Sequence, residues 1–220
     1  MKKMTWGDCK LSALRTMFSN EGAAINIDDS NQDYVYAMAG KANEALQQLV
    51  SVGRPLLKQF SITVALGVDE EATESKLTLP AAEVLYKLQL EHYLPRFRCI
   101  DQLMLESGGV YDRAEEWSLE GDNVLVLPGN IAGTYTLWYA AYPQTITNDT
   151  PDTEILDVHP EAAVLIPLYI AAELYKEDEL AMATMFRNEF EDGLEKLRQA
   201  YRESGNGFRG GVVRNTTGWW

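Results

Sequence analysis

Residues 159–197, HPEAAVLIPLYIAAELYKEDELAMATMFRNEFEDGLEKL, decide the fold class. Apolar residues recur every three or four positions on both sides of a short polar turn at 176–178, a spacing typical of amphipathic helices. Pro160 suits the first position of a helix, and Pro167, in the second turn, predicts a kink. The stretch therefore predicts two antiparallel helices that pack through the following side chains: Ile166, Ile170, Leu174, Met182, Phe186, Phe190, Leu194 and Leu197.

The residues before position 55 also follow a helical period. Asp8 is the candidate N-cap of a first helix over residues 9–19. Asp29 or Ser30 is the candidate N-cap of a longer helix over residues 32–50. The longer helix carries one continuous apolar stripe made of Val35, Met38, Ala39, Ala42, Ala45, Leu46 and Leu49. Together with the C-terminal hairpin, these segments predict a four-helix body.

From residue 56 to 143 the helical period gives way to the alternation of β-strands. Short strand-like segments are separated by turn sequences such as Gly108-Gly109, which favours an antiparallel β-sandwich or a small barrel. Residues 84–91, VLYKLQLE, alternate as a strand does, although Pro80 followed by AAE also fits a helix start. The aromatic segment 135–142 is predicted to be the central or closing strand.

The predicted class is α+β, with the β module inserted between two helical halves. The predicted divisions are an N-terminal helical part at 1–55 and an inserted β domain at 56–145. A C-terminal helical hairpin at 146–204 completes the helical domain, and an extended arm follows at 205–220.

Charge and composition exclude several functional classes. The net charge is -14, and residues 67–122 and 150–204 each hold thirteen acidic against five basic residues. Because no Lys/Arg cluster exists to neutralise phosphates, tight nucleic-acid binding is not expected. No apolar run reaches transmembrane length, and no signal peptide is expected. Cys9 and Cys99 lack a metal-type spacing and are expected to be reduced.

No catalytic, metal or cofactor site emerges from the motifs. His92 and His159 have no partner at metal-ligand spacing, and no serine lies in a nucleophile elbow. The acidic clusters beginning at Asp69 and at Glu115 favour solvated loops over paired catalytic carboxylates. A ligand-binding alternative rests on aromatic residues of the β insertion that could stack on a sugar: Trp117, Tyr135, Trp138, Tyr139 and Tyr142.

The C-terminal hairpin resembles the hairpin of tailed-bacteriophage head-to-tail adaptor, or connector, proteins. The resemblance rests on a Pro-Glu start at 160–161, on AELY at 172–175 and on FRNEFE at 186–191. A short acidic turn separates the last two motifs. The resemblance covers about forty residues closely, and the order of helices, β insertion and helices extends it over most of the chain. The segment YTLWYAAYP, from Tyr135, is similar to the last strand of the β insertion in related adaptors.

The resemblance implies a structural virion protein rather than an enzyme. It implies a homo-oligomeric ring, typically of twelve copies, that docks beneath the portal and extends the DNA channel. The portal, neighbouring copies and a downstream stopper or tail protein would be its partners, and DNA would pass without tight binding. It would lie in the neck of the virion, after assembly in the host cytoplasm, with no membrane contact.

The last residues raise a separate hypothesis. Residues 205–220 combine flexible residues with two arginines and no acid, and they end in two tryptophans. Large aromatic side chains stabilise a complex by burial, so an arm of this kind is expected to dock on the portal or on a neighbouring subunit. The alternative is that Trp219 and Trp220 fold back onto their own domain. The residues expected to make that contact are Phe208, Arg209, Val212, Val213, Arg214, Trp219 and Trp220.

Overall fold

Helices form both ends of the described chain and strands form its middle. The computed structural model describes residues 3–18 and 31–203. The chain divides into two units. The described parts of Met1–Pro55 and Gln144–Trp220 form one, called the helical unit below, and Leu56–Pro143 forms the other, called the β unit. The class is α+β, as predicted.

The helical unit begins with two N-terminal helices and ends with the C-terminal hairpin. A π-helical turn, Leu49–Gly53, extends the second helix. The α-helices of this unit are α1 Trp6–Met17, α2 Gln32–Gln48, α4 Pro160–Ala163, α5 Ile166–Leu174 and α6 Leu180–Glu203. Their buried faces meet in one cluster that includes Leu14, Leu46, Ile166, Phe190 and Leu194.

The predicted cap of the first helix is wrong by one turn. Thr5 is the N-cap, and its Oγ1 accepts from the Asp8 backbone N–H at 3.2 Å. Asp8 lies inside α1, where its carboxylate accepts from the Thr5 backbone N–H. This reciprocal pair is a capping box, which places the acid three residues after the cap. The candidate caps Asp29 and Ser30 lie outside the described residues, and α2 begins after Asn31.

The hairpin prediction needs one correction, because its first helix is broken. Helix α4 ends at Ala163, and α5 begins at Ile166 with Pro167 in its first turn. Pro167 cannot donate a backbone hydrogen bond to the preceding turn, so the chain restarts a helix instead of kinking one. Helix α6 packs closely against this break, since a Cβ on Gly193 would lie 2.5 Å from the Leu165 side chain.

The β unit contains two sheets and one short helix, α3 Leu90–Tyr93. The larger sheet has the order β2-β3-β1-β9-β5-β6, and the smaller has the order β4-β8-β7. The strands are β1 Leu56–Ala65, β2 Glu71–Ala72, β3 Lys76–Pro80, β4 Leu85–Gln89, β5 Phe97–Ser107, β6 Val110–Arg113, β7 Ser118–Glu120, β8 Val124–Pro128 and β9 Gly133–Ala141. The segment at 84–91 is therefore mainly a strand, as its alternation predicts.

The sheets are largely antiparallel, but neither closes into a barrel. Strands β1 and β3 pair in parallel, which the purely antiparallel prediction missed. Side chains of both sheets share one hydrophobic cluster, with Phe60 and Leu137 from the larger sheet and Leu88 and Leu125 from the smaller. The small barrel is thus excluded as a description of the β unit.

Strand β9 lies at the centre of the larger sheet, between β1 and β5. Its odd-numbered side chains, from Tyr135 to Ala141, point into the hydrophobic cluster of the β unit. Its even-numbered side chains point to the opposite face, since successive residues of a strand alternate. Trp138 lies on that face, in register with Gln59 of β1 and Gln102 of β5.

Candidate assembly surfaces

The residues predicted to pack the hairpin lie on its inward face. Two of the eight are only partly buried: Leu174, near the end of α5, and Met182, in the first turn of α6. Aromatic contacts join α5 to α6, with Tyr169 edge-on to Phe190 at 5.0 Å between ring centroids. Buried are Ile166, Ile170, Phe186, Phe190, Leu194 and Leu197.

A charged cluster spans the same hairpin. The Glu173 side chain is 7% exposed and lies 2.6 Å from Lys176 Nζ, 3.4 Å from Arg187 Nη1 and 3.9 Å from Lys41 Nζ. Three cations around one carboxylate offset the cost of removing it from water. Arg187 also binds Glu191 at 2.7 Å and lies over the Tyr169 ring, 4.9 Å from its centroid. The cluster joins α2, α5 and α6.

Tyr169 connects this cluster to α2 by hydrogen bonds. Its hydroxyl donates to Glu44 Oε2 at 3.1 Å and accepts from Gln48 Nε2 at 3.2 Å. Burial raises the pKa of Tyr169. The hydrogen bond from Lys41 lowers the pKa of Glu44 and raises the pKa of Lys41. The buried phenol is therefore held in its neutral, donating form.

Some residues of the resemblance motifs are not needed for packing. Asn188, Glu189 and Glu191 are exposed on α6, whereas Phe186 and Phe190 of the same motif are buried. Two apolar side chains, Leu180 and Met185, are exposed on this helix as well. The exposed side chains of α6 thus include acids as well as two separate apolar groups.

The five aromatic residues proposed to stack on a sugar do not share one surface. Tyr135 and Tyr139 are buried within the β unit, and Trp117 packs partly buried against the same cluster. Trp138 lies on the opposite face of the sheet, and Tyr142 is exposed just after β9. Strand alternation separates them, because 135 and 139 differ in parity from 138 and 142. No single aromatic platform results.

A pocket of about 210 Å³ lies beside the end of β6 and is called the Tyr135 pocket below. Tyr135 is 1% exposed, and its hydroxyl has no hydrogen-bond partner among the described residues. Burial, and then the charge of Glu116, raise the pKa of Tyr135, so the hydroxyl is neutral near pH 7. The pocket is lined by Leu105, Arg113, Ala114, Glu115, Glu116, Ile131 and Tyr135.

The candidate chemical residues are spread across both units. His92 is exposed in α3, and His159 precedes α4 without a side-chain capping bond. Both cysteines are free, and burial raises the pKa of Cys9 to about 12. Within residues 3–18 and 31–203, no group of three His, Cys, Asp or Glu is placed to hold a metal ion. In the same ranges, no helix is long and apolar enough to cross a bilayer.

The predicted contact residues of the arm, from Phe208 to Trp220, lie outside the described residues. The Glu173 cluster and the Tyr135 pocket were both missed by the motif analysis. Glu173 and Arg187 belong to different motifs, and only the close pairing of α5 and α6 brings them together. The alternation of β9 does place Tyr135 on the core face, but an unpaired hydroxyl leaves no signal in a sequence.

A family model described as SU10 adaptor protein matches residues 4–214 of the chain. The matched range covers nearly all of both units and extends beyond α6 into the arm. It includes Phe208, Arg209 and Arg214, whereas Trp219 and Trp220 lie after it. No curated protein sequence matches the chain.

Proposed function

The chain belongs to the SU10 adaptor protein family, a family of phage head-to-tail adaptors, and on this premise we propose that it forms a ring beneath the portal. The family makes it a structural phage adaptor and implies contacts with portal and tail proteins. The finer proposal is a homo-oligomeric ring, typically of twelve copies, that extends the DNA channel. Its far side would hold the stopper or tail.

The observation that carries the proposal is the family match over residues 4–214. The geometry of the hairpin supports it. Burial of Phe190 and the Glu173 cluster fix α5 against α6, so the exposed acids and apolar groups of α6 are presented on a rigid element. Preorganised surfaces lose less conformational entropy on association, as a docking ring requires.

Charge supports the proposed passage of DNA. The β unit segment 67–122 and the hairpin segment 150–204 carry strong acidic excess, and like charges repel the phosphate backbone. A bore lined by such segments would let DNA move without gripping it.

The test is reconstitution on the chain's own portal. Purified portal rings are mixed with the full-length chain, recovered by pull-down on the portal, and imaged by electron microscopy. We expect an additional ring on one face of the portal. A portal that recovers no adaptor and shows no added ring would refute the proposal, whereas a monomeric adaptor before mixing would be compatible with it.

We also propose that the arm at 205–220 is the attachment segment, docking on the portal or on a neighbouring subunit. The support is its composition, in which arginines, valines and aromatics occur without any acid, and the extension of the family match to residue 214. Deletion of residues 206–220 should leave the helical circular dichroism and the melting temperature nearly unchanged while abolishing assembly. A truncated chain that docks with normal affinity would contradict this.

A carbohydrate-binding module was the alternative from the sequence. Because the five aromatic side chains are divided between the core of the β unit and the opposite face of the larger sheet, no specific geometry favours sugar stacking. Specific signals on a glycan array would revive the alternative.

A further inference from the structure

We propose that the Tyr135 pocket is the receptor for the arm of a neighbouring copy, which inserts an indole from Trp219 or Trp220. This inference rests on the proposed ring, because it needs a second copy beside the first. It names the docking site that the attachment role of the arm leaves open.

The floor of the pocket holds an unused polar group. Tyr135 is buried in the central strand β9, yet its hydroxyl has no partner among the described residues. Buried polar groups in folded proteins are almost always hydrogen-bonded. An unpaired buried hydroxyl next to a cavity is therefore explained when an occupant completes its hydrogen bond in the assembled state.

The walls are apolar and the rim is charged. Leu105, Ala114 and Ile131 provide apolar lining, while Glu115 and Glu116 are exposed beside them. Arg113 lines the pocket too, so the rim carries two acids and one base. Ala114 is held to β5 by the hydrogen bond from its backbone N–H to Leu103 O at 3.0 Å. Glu115 and Glu116 follow it, between strands β6 and β7 and outside either ladder.

The size of the pocket favours one side chain over a free ligand. Its volume is about 210 Å³, whereas pockets for drug-sized small molecules span roughly 300–1,000 Å³. An indole combines a large apolar surface with one N–H donor. The Tyr135 oxygen and the rim carboxylates are acceptors that this donor can use.

The charge of the arm matches the rim. Residues 205–220 contain Arg209 and Arg214 and no acid, so the arm is cationic while the rim is net acidic. Complementary charges guide association and select the partner. The guanidinium of Arg113 can also stack on an inserted indole. An acidic peptide would be repelled by the net acidic rim, and a purely aliphatic side chain would leave the Tyr135 hydroxyl without a partner.

The experiment measures binding of a fluorescein-labelled synthetic peptide of residues 205–220 by anisotropy. The receptor is the full-length chain with Trp219→Ala and Trp220→Ala, so that its own arm lacks indoles. We expect saturable binding that falls at least about tenfold with Glu115→Lys plus Glu116→Lys. Tyr135→Phe should weaken binding about three- to tenfold, the loss of one hydrogen bond.

Two matched controls accompany these variants. Glu70→Lys plus Glu71→Lys makes the same charge change at exposed positions near β2, at the opposite edge of the larger sheet from β6, and should leave binding unchanged. A peptide in which both tryptophans are alanine should not bind. Failure of the natural peptide to bind, or binding that ignores both pocket variants, overturns the proposal.

Dilute wild-type chain separates a neighbour's arm from the chain's own. If the neighbour supplies the indole, wild-type monomers leave the pocket free and bind the peptide as tightly as the receptor variant does. If wild-type monomers resist the peptide at every dilution, the chain's own arm fills the pocket and the assignment to a neighbour is wrong. Binding of the peptide to isolated portal, with none to this chain, would also overturn it.

Reconstitution on the portal distinguishes a failure of this inference from a failure of the proposed function. A ring that forms on the portal with pocket variants as readily as with wild type would remove the pocket from assembly and leave the adaptor role standing. Absence of any ring with wild-type chain would refute the adaptor role whatever the peptide does. Loss of the ring with pocket variants alone is the result expected here.

Discussion

Tyr169 in the helical unit and Tyr135 in the β unit are both buried, with 4% and 1% of their surfaces exposed. Their hydroxyls differ. Tyr169 donates to Glu44 and accepts from Gln48, whereas Tyr135 has no partner among the described residues. A buried, unsatisfied polar group costs about 1–3 kcal/mol of stability. The β unit carries this cost at Tyr135, whereas the hydrogen bonds of Tyr169 avoid it in the helical unit.

This difference separates a scaffold from a receptor. The helical unit satisfies its buried Tyr169 hydroxyl with its own residues and adds the Glu173 cluster around it. In the β unit, the Tyr135 hydroxyl has no partner within the described part of the chain and lies beside a pocket. Its hydrogen bond can therefore add to stability only in the assembled state. The changes in the free energy of unfolding caused by substitutions in the two units should therefore differ in sign as well as in size.

The largest effect is expected at the hydrophobic contact of the hairpin. Phe190 is fully buried and packs edge-on against Tyr169. Phe190→Ala should lower the free energy of unfolding by about 3–5 kcal/mol, because it removes an aromatic ring and leaves a cavity. Met185→Ala, at an exposed position on the same helix, should change it by about 0.5 kcal/mol or less.

The measurement for this pair is chemical denaturation followed by helical circular dichroism. Equal losses for Phe190→Ala and Met185→Ala would show that α6 is not anchored through its inward face. That result would break the comparison, since the helical unit could then not be called a self-sufficient scaffold.

A smaller effect is expected at the charged cluster. Glu173→Gln keeps the size of the side chain but removes the charge shared by Lys176, Arg187 and Lys41. The free energy of unfolding should fall by about 2 kcal/mol, in the range of charge-assisted hydrogen bonds in partly buried places. Glu195→Gln breaks an exposed pair with Arg198 on the same helix and should cost about 0.5 kcal/mol or less.

Both glutamate variants are compared by denaturant melts at low and at high salt. The loss at Glu173 should persist in high salt, because the side chain is only 7% exposed, while any loss at Glu195 should vanish by screening. A Glu173 loss that also vanishes would mean that the cluster behaves as an ordinary surface network.

The third prediction tests the tyrosine comparison directly with one chemical change. Tyr169→Phe removes a hydroxyl that has partners and should destabilise the chain by about 1 kcal/mol. Tyr135→Phe removes one that has none and should leave stability unchanged or raise it by up to about 1 kcal/mol. Thermal melts of the free, unassembled variants check the pair, and two losses of equal size would contradict it.

Much of the fold follows from the sequence because periodicity reports burial directly. The stripe from Met38 to Leu49 and the one from Phe186 to Leu197 place buried residues where their spacing predicts. The alternation at 84–91 correctly favoured strand β4 over a helix. Each of these patterns shows which side of a single helix or strand faces the core. Residues close in sequence are enough to show this.

The errors arise where two local patterns compete or where the structure depends on partners distant in sequence. Thr5 rather than Asp8 is the cap, because an acid can stand at either end of a capping box. The parallel pairing of β1 with β3 is a choice of neighbour, and strand patterns do not encode neighbours. The Tyr135 pocket depends on a missing contact, so it could be found only once the surroundings of the hydroxyl were known.

The smallest effect concerns an unpaired polar atom within the helical unit itself. His159 Nδ1 lies 3.5 Å from Glu161 Oε2 without a hydrogen bond. Burial, and then the charge of Arg54, lower the pKa of His159, while Glu161 opposes them. The unfolded chain therefore binds a proton at His159 more readily than the folded chain does. The stability that neutral His159 contributes is complete above the ordinary pKa near 6.5 and declines as the pH falls below it.

The variant His159→Asn keeps a good N-cap residue before α4 and removes the titration. Melting temperatures of wild type and variant are compared between pH 5.5 and 7.5, so that the carboxylates common to both cancel. Wild type should lose more stability than the variant toward pH 5.5, by less than the roughly 2–4 °C that 1 kcal/mol corresponds to at this chain length. Parallel profiles would mean that the fold disfavours protonation of His159 no more than water does. The Tyr135 hydroxyl would then be the clearer case of a buried polar group left without a partner.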